Sequence, residues 1–199
     1  MKNLIYLFLC ISVFSCNDGK QPILGDTEWQ REKNAEFKDA SKSPLKSRDR
    51  KNFKSLDFFK FDSTFVVEAI LKRTPGSVWF DMETTTERVS KERVYGIITF
   101  KINGNTYSLN VYQGQEMMQE KGFEDYLFLP YSDKSNGETT YGGGRYLDLR
   151  IPEGDTMVID FNKTYNPYCV YNEKYSCPLV PLENYIDEEI HAGMKNFIP

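Results

Sequence analysis

The dipeptide Asn103-Gly104 constrains this chain more than any other feature. It sits between two runs, "VYGIITFKI" and "TYSLNVYQ", in which apolar and polar residues alternate. Asn-Gly tolerates positive φ at both centres of a tight turn, so alternating runs on either side predict a β-hairpin. Similar runs recur along the chain. "STFVVEAILKR" and "SVWFDMETTTERVS" flank the turn signal Thr74-Pro75-Gly76, and "DYLFLPY", "GRYLDLRI" and "TMVIDF" follow, the last two joined by Pro152-Glu153-Gly154-Asp155. About seven short strands with polar turns predict a mainly β, antiparallel fold, either a β-sandwich or a partly open β-barrel.

Helical spacing flanks this β region. In "DTEWQREKNAEFKDA", Asp26 or Thr27 stands as cap, Glu28 lies in the first turn, and Trp29, Phe37 and Ala40 recur on one face. That predicts an N-terminal helix from Thr27 to about Ala40. A second short helix is expected in "SPLKSRDRKNF", with Ser43 as cap and Pro44 at the first helical position. The tail "VPLENYIDEEIHAGMKNF" predicts a short C-terminal helix from about Leu182 to Ala192, stopped by Gly193.

The first fifteen residues, "MKNLIYLFLCISVFS", carry Lys2, an apolar stretch from Leu4 to Phe14, and the small residue Ser15 before Cys16. At ~1.5 Å per residue that stretch reaches roughly 17 Å, short of the ~30 Å hydrocarbon core, so it reads as a signal peptide and not a span. Val13-Phe14-Ser15-Cys16 resembles a bacterial lipobox, so residues 1–15 are expected to be a lipoprotein signal peptide and Cys16 the lipidation site; the alternative is an ordinary secretory signal cut near Ser15. Residues 16–25 are then a tether, and residues 26–199 a single β-rich domain. The expected location is the bacterial cell envelope, extracytoplasmic and lipid-anchored, with the membrane as partner through the anchor. Removing residues 1–15 leaves 24 of the 25 basic side chains against 29 acidic ones, a formal charge of −5. That balance argues against nucleic acid as a partner.

After Cys16, the remaining thiols are Cys169 and Cys177 in "NPYCVYNEKYSC". In an oxidising compartment they are candidates for a disulfide, whose loop closure would contribute roughly 2.5 kcal/mol. A metal site would have to recruit carboxylates around them, because His191 is the single histidine, and neither a metal nor a cofactor is expected. A thiol nucleophile would need His191 or a carboxylate as base; two inert buried thiols are the remaining reading.

In "SNGETTYGGGRYLDL", Gly142 to Gly144 allow close approach of a ligand to backbone amides, and Arg145 offers a fork of donors. The alternative is a glycine-rich turn into an edge strand, with Arg145 paired to Asp148 or Asp160. Polar residues also gather after the last strand in "DFNKTYNPYCVYN", where Asp160, Asn162, Asn166 and Tyr168 stand near Cys169. The basic run Leu45 to Lys54 reads as a solvated face.

The segments "GDTEWQREKNAEFKDASKSPLKSRDRKNFKSLDFF", "RTPGSVWF", "YLFLPYSDKSNGETTYGGGRYLDL" and "IDFNKTYNPYCVYNEKYSCPLVPLENY" resemble an uncharacterised bacterial and archaeal family, domain of unknown function 1684. The likeness runs from about Gly25 to Phe197. It implies that Asn136, Thr140, Tyr141, Gly143, Arg145, Asp148, Asp160, Asn166, Pro167, Cys169, Cys177, Pro178 and Asn184 belong to the family's motifs, and that the glycine-arginine turn and the cysteine segment form one site. His191 lies outside that pattern.

The leading expectation is an envelope domain binding a small anionic or polar ligand, with Arg145 as anion clamp and Asn136, Tyr141, Gly143, Asn166 and Asn184 around it. The alternative is a hydrolytic or thiol-dependent enzyme using Arg145, Asp160 or Glu183, and Cys169. A third is a scaffold or assembly partner presenting the tyrosines of "YNPYCVYNEKY".

Overall fold

The computed structural model describes residues 24–198, so the signal peptide, Cys16 and most of the tether lie outside the described residues. The chain enters on helix α1, Glu28–Lys38. Thr27 caps it: the Gln30 amide donates to Thr27 Oγ1 at 3.2 Å, and the Gln30 side chain returns to accept from the Thr27 amide. This reciprocal arrangement satisfies two helix-end donors at once. Asn34 ties the helix down, donating to the Leu24 carbonyl at 2.6 Å and accepting from the Leu56 amide at 2.7 Å.

Helix α2, Ser47–Asn52, starts later than the expected Ser43 cap. Leu45 is buried in a cluster with Phe37, Leu56, Tyr171 and Met194. The chain bends at Leu45 before the helix begins, and Ser43 Oγ accepts from the Leu45 amide instead of capping.

The strands are β1 Val66–Arg73, β2 Phe80–Glu83, β3 Val89–Ile102, β4 Asn105–Gly114, β5 Tyr126–Asp133, β6 Arg145–Arg150, β7 Thr156–Asp160 and β8 Tyr185–Ile186. All eight lie in one curled, half-barrel sheet of order β6-β5-β4-β3-β1-β7, with β2 added beside β3 and the short β8 parallel to β5. A partly open barrel, not a two-sheet sandwich, is therefore the architecture. The β3–β4 hairpin turns at Asn103 and Gly104, both at positive φ (50° and 83°).

The C-terminal helix expected over Leu182–Ala192 does not form. The segment makes β8 and then an irregular run in which Ile186, Ile190 and Ala192 enter the main core. The run is held from outside itself: the carbonyls of Ile190, Ala192 and Met194 accept from Arg145.

The two faces of the sheet differ. One carries the aliphatic core, including Leu71, Ile98, Val111, Leu129 and Ile159. The other is aromatic, built on Tyr112, Phe128 and Tyr146. Residues 165–179 cross this second face, pinned at both ends. Tyr165 exchanges two backbone bonds with Tyr146 of β6, and at the other end Thr85 donates to the Cys177 carbonyl and Leu179 to that of Glu83, beside β2.

Candidate functional site

Between the aromatic face and this crossing segment runs a cleft of about 450 Å³. Its position follows from strand register. Glu92 lies opposite Gly114, Tyr112 opposite Phe128, and Phe128 opposite Asp148, which sets these residues across neighbouring strands. Glu92 reaches the cleft because β3 bulges between Val94 and Gly96. Val94 joins the aromatic cluster, whereas Ile98 and Phe100 beyond the bulge join the aliphatic core. A bulge adds one residue to one strand only, so it reverses which face the alternation serves.

Glu92 is the outlying group of the cleft. It is 5% exposed, Oε1 accepts from Ser90 Oγ at 2.8 Å, and Oε2 has no partner among the described residues. Gly114 makes the room: a Cβ there would stand 3.0 Å from Oε1 and 3.3 Å from Oε2. Burial raises the Glu92 pKa above the ordinary value of 4.5, and the Ser90 bond and the Arg88 charge only partly oppose it.

Across the cleft, the phenols of Tyr126 and Tyr165 both donate to Asp148 Oδ1, the first at 2.8 Å. Burial first, and then the Asp148 charge for Tyr126, push both phenol pKa values up, so they remain protonated donors. Tyr146 donates to the Pro178 carbonyl, and Tyr168 to Glu36 Oε1 at 2.6 Å. The cations of the cleft are engaged as well. Lys33 pairs with Glu36 and Lys91 with Asp81, and Arg88 donates to the carbonyls of Ser176 and Val89.

The residues expected from sequence do not assemble into one site. Arg145 is fully buried and faces protein, not a ligand, which overturns the anion clamp. Its Nη2 donates to Asp133 Oδ2 at 3.0 Å and to the Ile190 carbonyl at 2.8 Å, its Nη1 to the carbonyls of Ala192 and Met194, and its guanidinium lies over the Tyr131 ring. Only its Nε lacks an acceptor. The partner is Asp133, not Asp148 or Asp160, and Asp133 Oδ1 accepts from Ser135 and from the Ile190 amide. The glycine run serves packing: a Cβ on Gly144, at φ 85°, would stand 2.7 Å from the Tyr131 carbonyl oxygen, and one on Gly143 2.6 Å from the Tyr141 ring.

The neutral residues are likewise occupied. Asn136 closes the loop before β6, accepting from the Asp133 amide and donating to Thr140 Oγ1 and the Tyr141 carbonyl. Asn184, fully buried, bridges β4 and β5: it accepts from the Asn110 amide and donates to the carbonyls of Asn110 and Pro130. Asn166 donates to the Lys195 carbonyl and to Tyr171, its Oδ1 unpartnered beside a separate pocket of about 250 Å³. Asp160 caps a 3₁₀ turn by accepting from Asn162, and Glu183 accepts from Tyr112 and Asn110.

Cys169 and Cys177 are free thiols and not the bridge expected. The Cys169 amide donates to Cys177 Sγ at 3.2 Å, and the Cys177 amide to Thr85 Oγ1 at 3.1 Å. A hydrogen bond from the Cys177 thiol lowers the Cys169 pKa, against burial; the same contact raises that of Cys177. No base completes a thiol mechanism with the histidine: His191 stacks on Phe59 and pairs with Glu189. Among the described residues, no group of three or more His, Cys, Asp or Glu side chains could hold a metal ion.

Fold and cleft together define a half-barrel β domain with an aromatic, carboxylate-bearing cleft wall. The chain belongs to the DUF1684 family, described as a protein of unknown function, whose model matches residues 51–195. It is similar to an uncharacterized protein of Haloarcula marismortui solved by solution NMR, at 29% identity over 83% of this chain and 89% of that one, with a TM-score of 0.66. No curated protein matches the chain.

Proposed function

We propose that this chain is a lipid-anchored, extracytoplasmic cell-envelope domain that binds a small polar ligand in the aromatic cleft. The location rests on the lipobox-like Val13-Phe14-Ser15-Cys16 behind a short apolar stretch. The binding reading rests on Glu92, a carboxyl group buried at the cleft wall with one oxygen unpartnered. Buried polar atoms are nearly always paired, because an unmade bond costs about 1–3 kcal/mol. Tyr131, Arg145 and Asn166 also hold a buried polar atom without a partner among the described residues, but only that of Glu92 belongs to a residue lining this cleft, with a glycine opposite that makes room for it. Pockets with a largely apolar lining and a few convergent polar groups are where small ligands bind.

The two halves of the reading are tested separately. Metabolic labelling with a palmitate analogue is expected to mark the wild-type chain and not Cys16→Ala; equal labelling of both would remove the anchor. A thermal-shift screen of small polar compounds is expected to return ligands that stabilise the wild type and not Glu92→Met. Ligands that act equally on both proteins would move the site elsewhere.

A further inference from the structure

The polar inventory of the cleft is lopsided. Its cations are committed to carboxylates or backbone carbonyls, and of its phenols those of Tyr126, Tyr165, Tyr146 and Tyr168 donate to protein acceptors, which leaves that of Tyr175 as the one phenol without a partner among the described residues. What remains open is acceptor capacity: Glu92 Oε2, and Asp148 Oδ2, since both tyrosine bonds to Asp148 end on Oδ1. An occupant must therefore bring donors.

Charge narrows the choice. A phosphate or carboxylate would find a single uncommitted phenol, that of Tyr175, and would face the carboxyl groups of Glu92 and Asp148. An ammonium ligand would compete with cations already in place, since Lys33 lies 5.6 Å from the Tyr165 ring centroid and Arg150 5.9 Å from that of Tyr126. A neutral ring bearing several hydroxyl groups meets every condition: hydroxyls donate to the open oxygens, and an apolar ring face lies on the tyrosine wall.

We propose, building on the binding reading above, that the ligand class is a saccharide, seated on Tyr126 and Tyr165 with hydroxyl groups donating to Glu92 Oε2 and Asp148. A cleft of about 450 Å³ falls within the range of roughly 300–1,000 Å³ common to small-molecule sites. A site built to receive hydroxyl donors also discriminates sharply, because an analogue lacking them leaves its buried acceptors unpaired.

The test is amide chemical-shift mapping on the full chain, ¹⁵N-labelled and in detergent. The probes are a panel of uncharged mono- and disaccharides spanning gluco, galacto, manno and N-acetylated forms, with benzoate and benzylamine as charged controls. Each is added at about 10 mM, enough to fill a millimolar site. At least one sugar is expected to shift the amides of Glu92, Gly114 and Asp148. Glu92→Met, with its own folded spectrum as control, is expected to weaken that sugar roughly tenfold or more, whereas Glu92→Gln, which keeps an acceptor, retains most of the binding. If benzoate or benzylamine shifts these amides and no sugar does, the saccharide assignment is wrong and the cleft remains a binding site. If no probe shifts them, both readings fall. Sugar shifts that are identical in Glu92→Met would overturn the role given to Glu92.

Discussion

Two buried charge-bearing groups, Arg145 in the aliphatic core and Glu92 at the aromatic cleft, are treated in opposite ways by the same sheet. Arg145 is fully enclosed, and four acceptors surround it: the carbonyls of Ile190, Ala192 and Met194, and Asp133. Glu92 is almost as deeply enclosed, yet it receives one hydroxyl and leaves an oxygen bare. Satisfied burial fixes structure, since it locks the C-terminal run onto β6. On the binding reading proposed above, the unpartnered oxygen of Glu92 is bonding capacity held for a ligand, whereas the unpartnered Nε of Arg145 is enclosed in the core. The residue that looks most like a ligand clamp in sequence is thus a structural pin, and on the same binding reading the site rests on Glu92, which the sequence did not single out.

The sharpest way to break this contrast is to remove the pin. Arg145→Met strands Asp133 in the core and frees three buried carbonyls, so a loss of about 3–5 kcal/mol is expected by urea denaturation, enough to unfold many domains of this size. A cost below about 1 kcal/mol would make Arg145 dispensable and reopen the search for its use. Asn184→Ala removes three buried bonds holding β4 to β5, and about 2–3 kcal/mol is expected in the same assay.

A smaller effect sharpens the Glu92 side. Its folded pKa lies above the ordinary 4.5, so the folded state keeps a proton that the unfolded chain releases. Stability should therefore decline as pH rises through 4.5 toward the raised folded value, and the pH profile of Glu92→Met should lack that slope. Identical profiles would mean that Glu92 is not buried as described. The smallest expected difference lies in the thiols: with its pKa lowered and its side chain only partly buried, Cys169 should alkylate faster than Cys177 in the reduced, folded protein. Equal rates would remove the asymmetry between them.

Local chemistry was legible in the sequence and long-range chemistry was not. The Asn103-Gly104 hairpin and the Thr27 cap depend on residues a few positions apart, and both formed as read. The helix expected over Leu182–Ala192 gave way to an irregular run whose partners are distant: the carbonyls of Ile190, Ala192 and Met194 accept from Arg145, more than forty residues back along the chain. The partner of Arg145 was misread for a related reason: Asp148 is nearer in sequence than Asp133 and Asp160 only slightly farther, and it is the β5–β6 register that selects between them. Glu92 left no trace in "VSKERVYG", because its face is set by the bulge before Gly96 and its space by Gly114 on the next strand. Asp148 was in view as an ion-pair partner, but its tyrosine donors come from β5 and from the crossing segment.

The central claim is that the free oxygen of Glu92 is held at a cost to stability for the sake of binding. The urea-unfolding free energy of Glu92→Met, measured near neutral pH beside the wild type, tests it most directly. The near-isosteric apolar side chain should stabilise the domain by about 1 kcal/mol or more while weakening every ligand found in the cleft. A destabilisation comparable to that of Arg145→Met would contradict the account and make Glu92 a second structural pin.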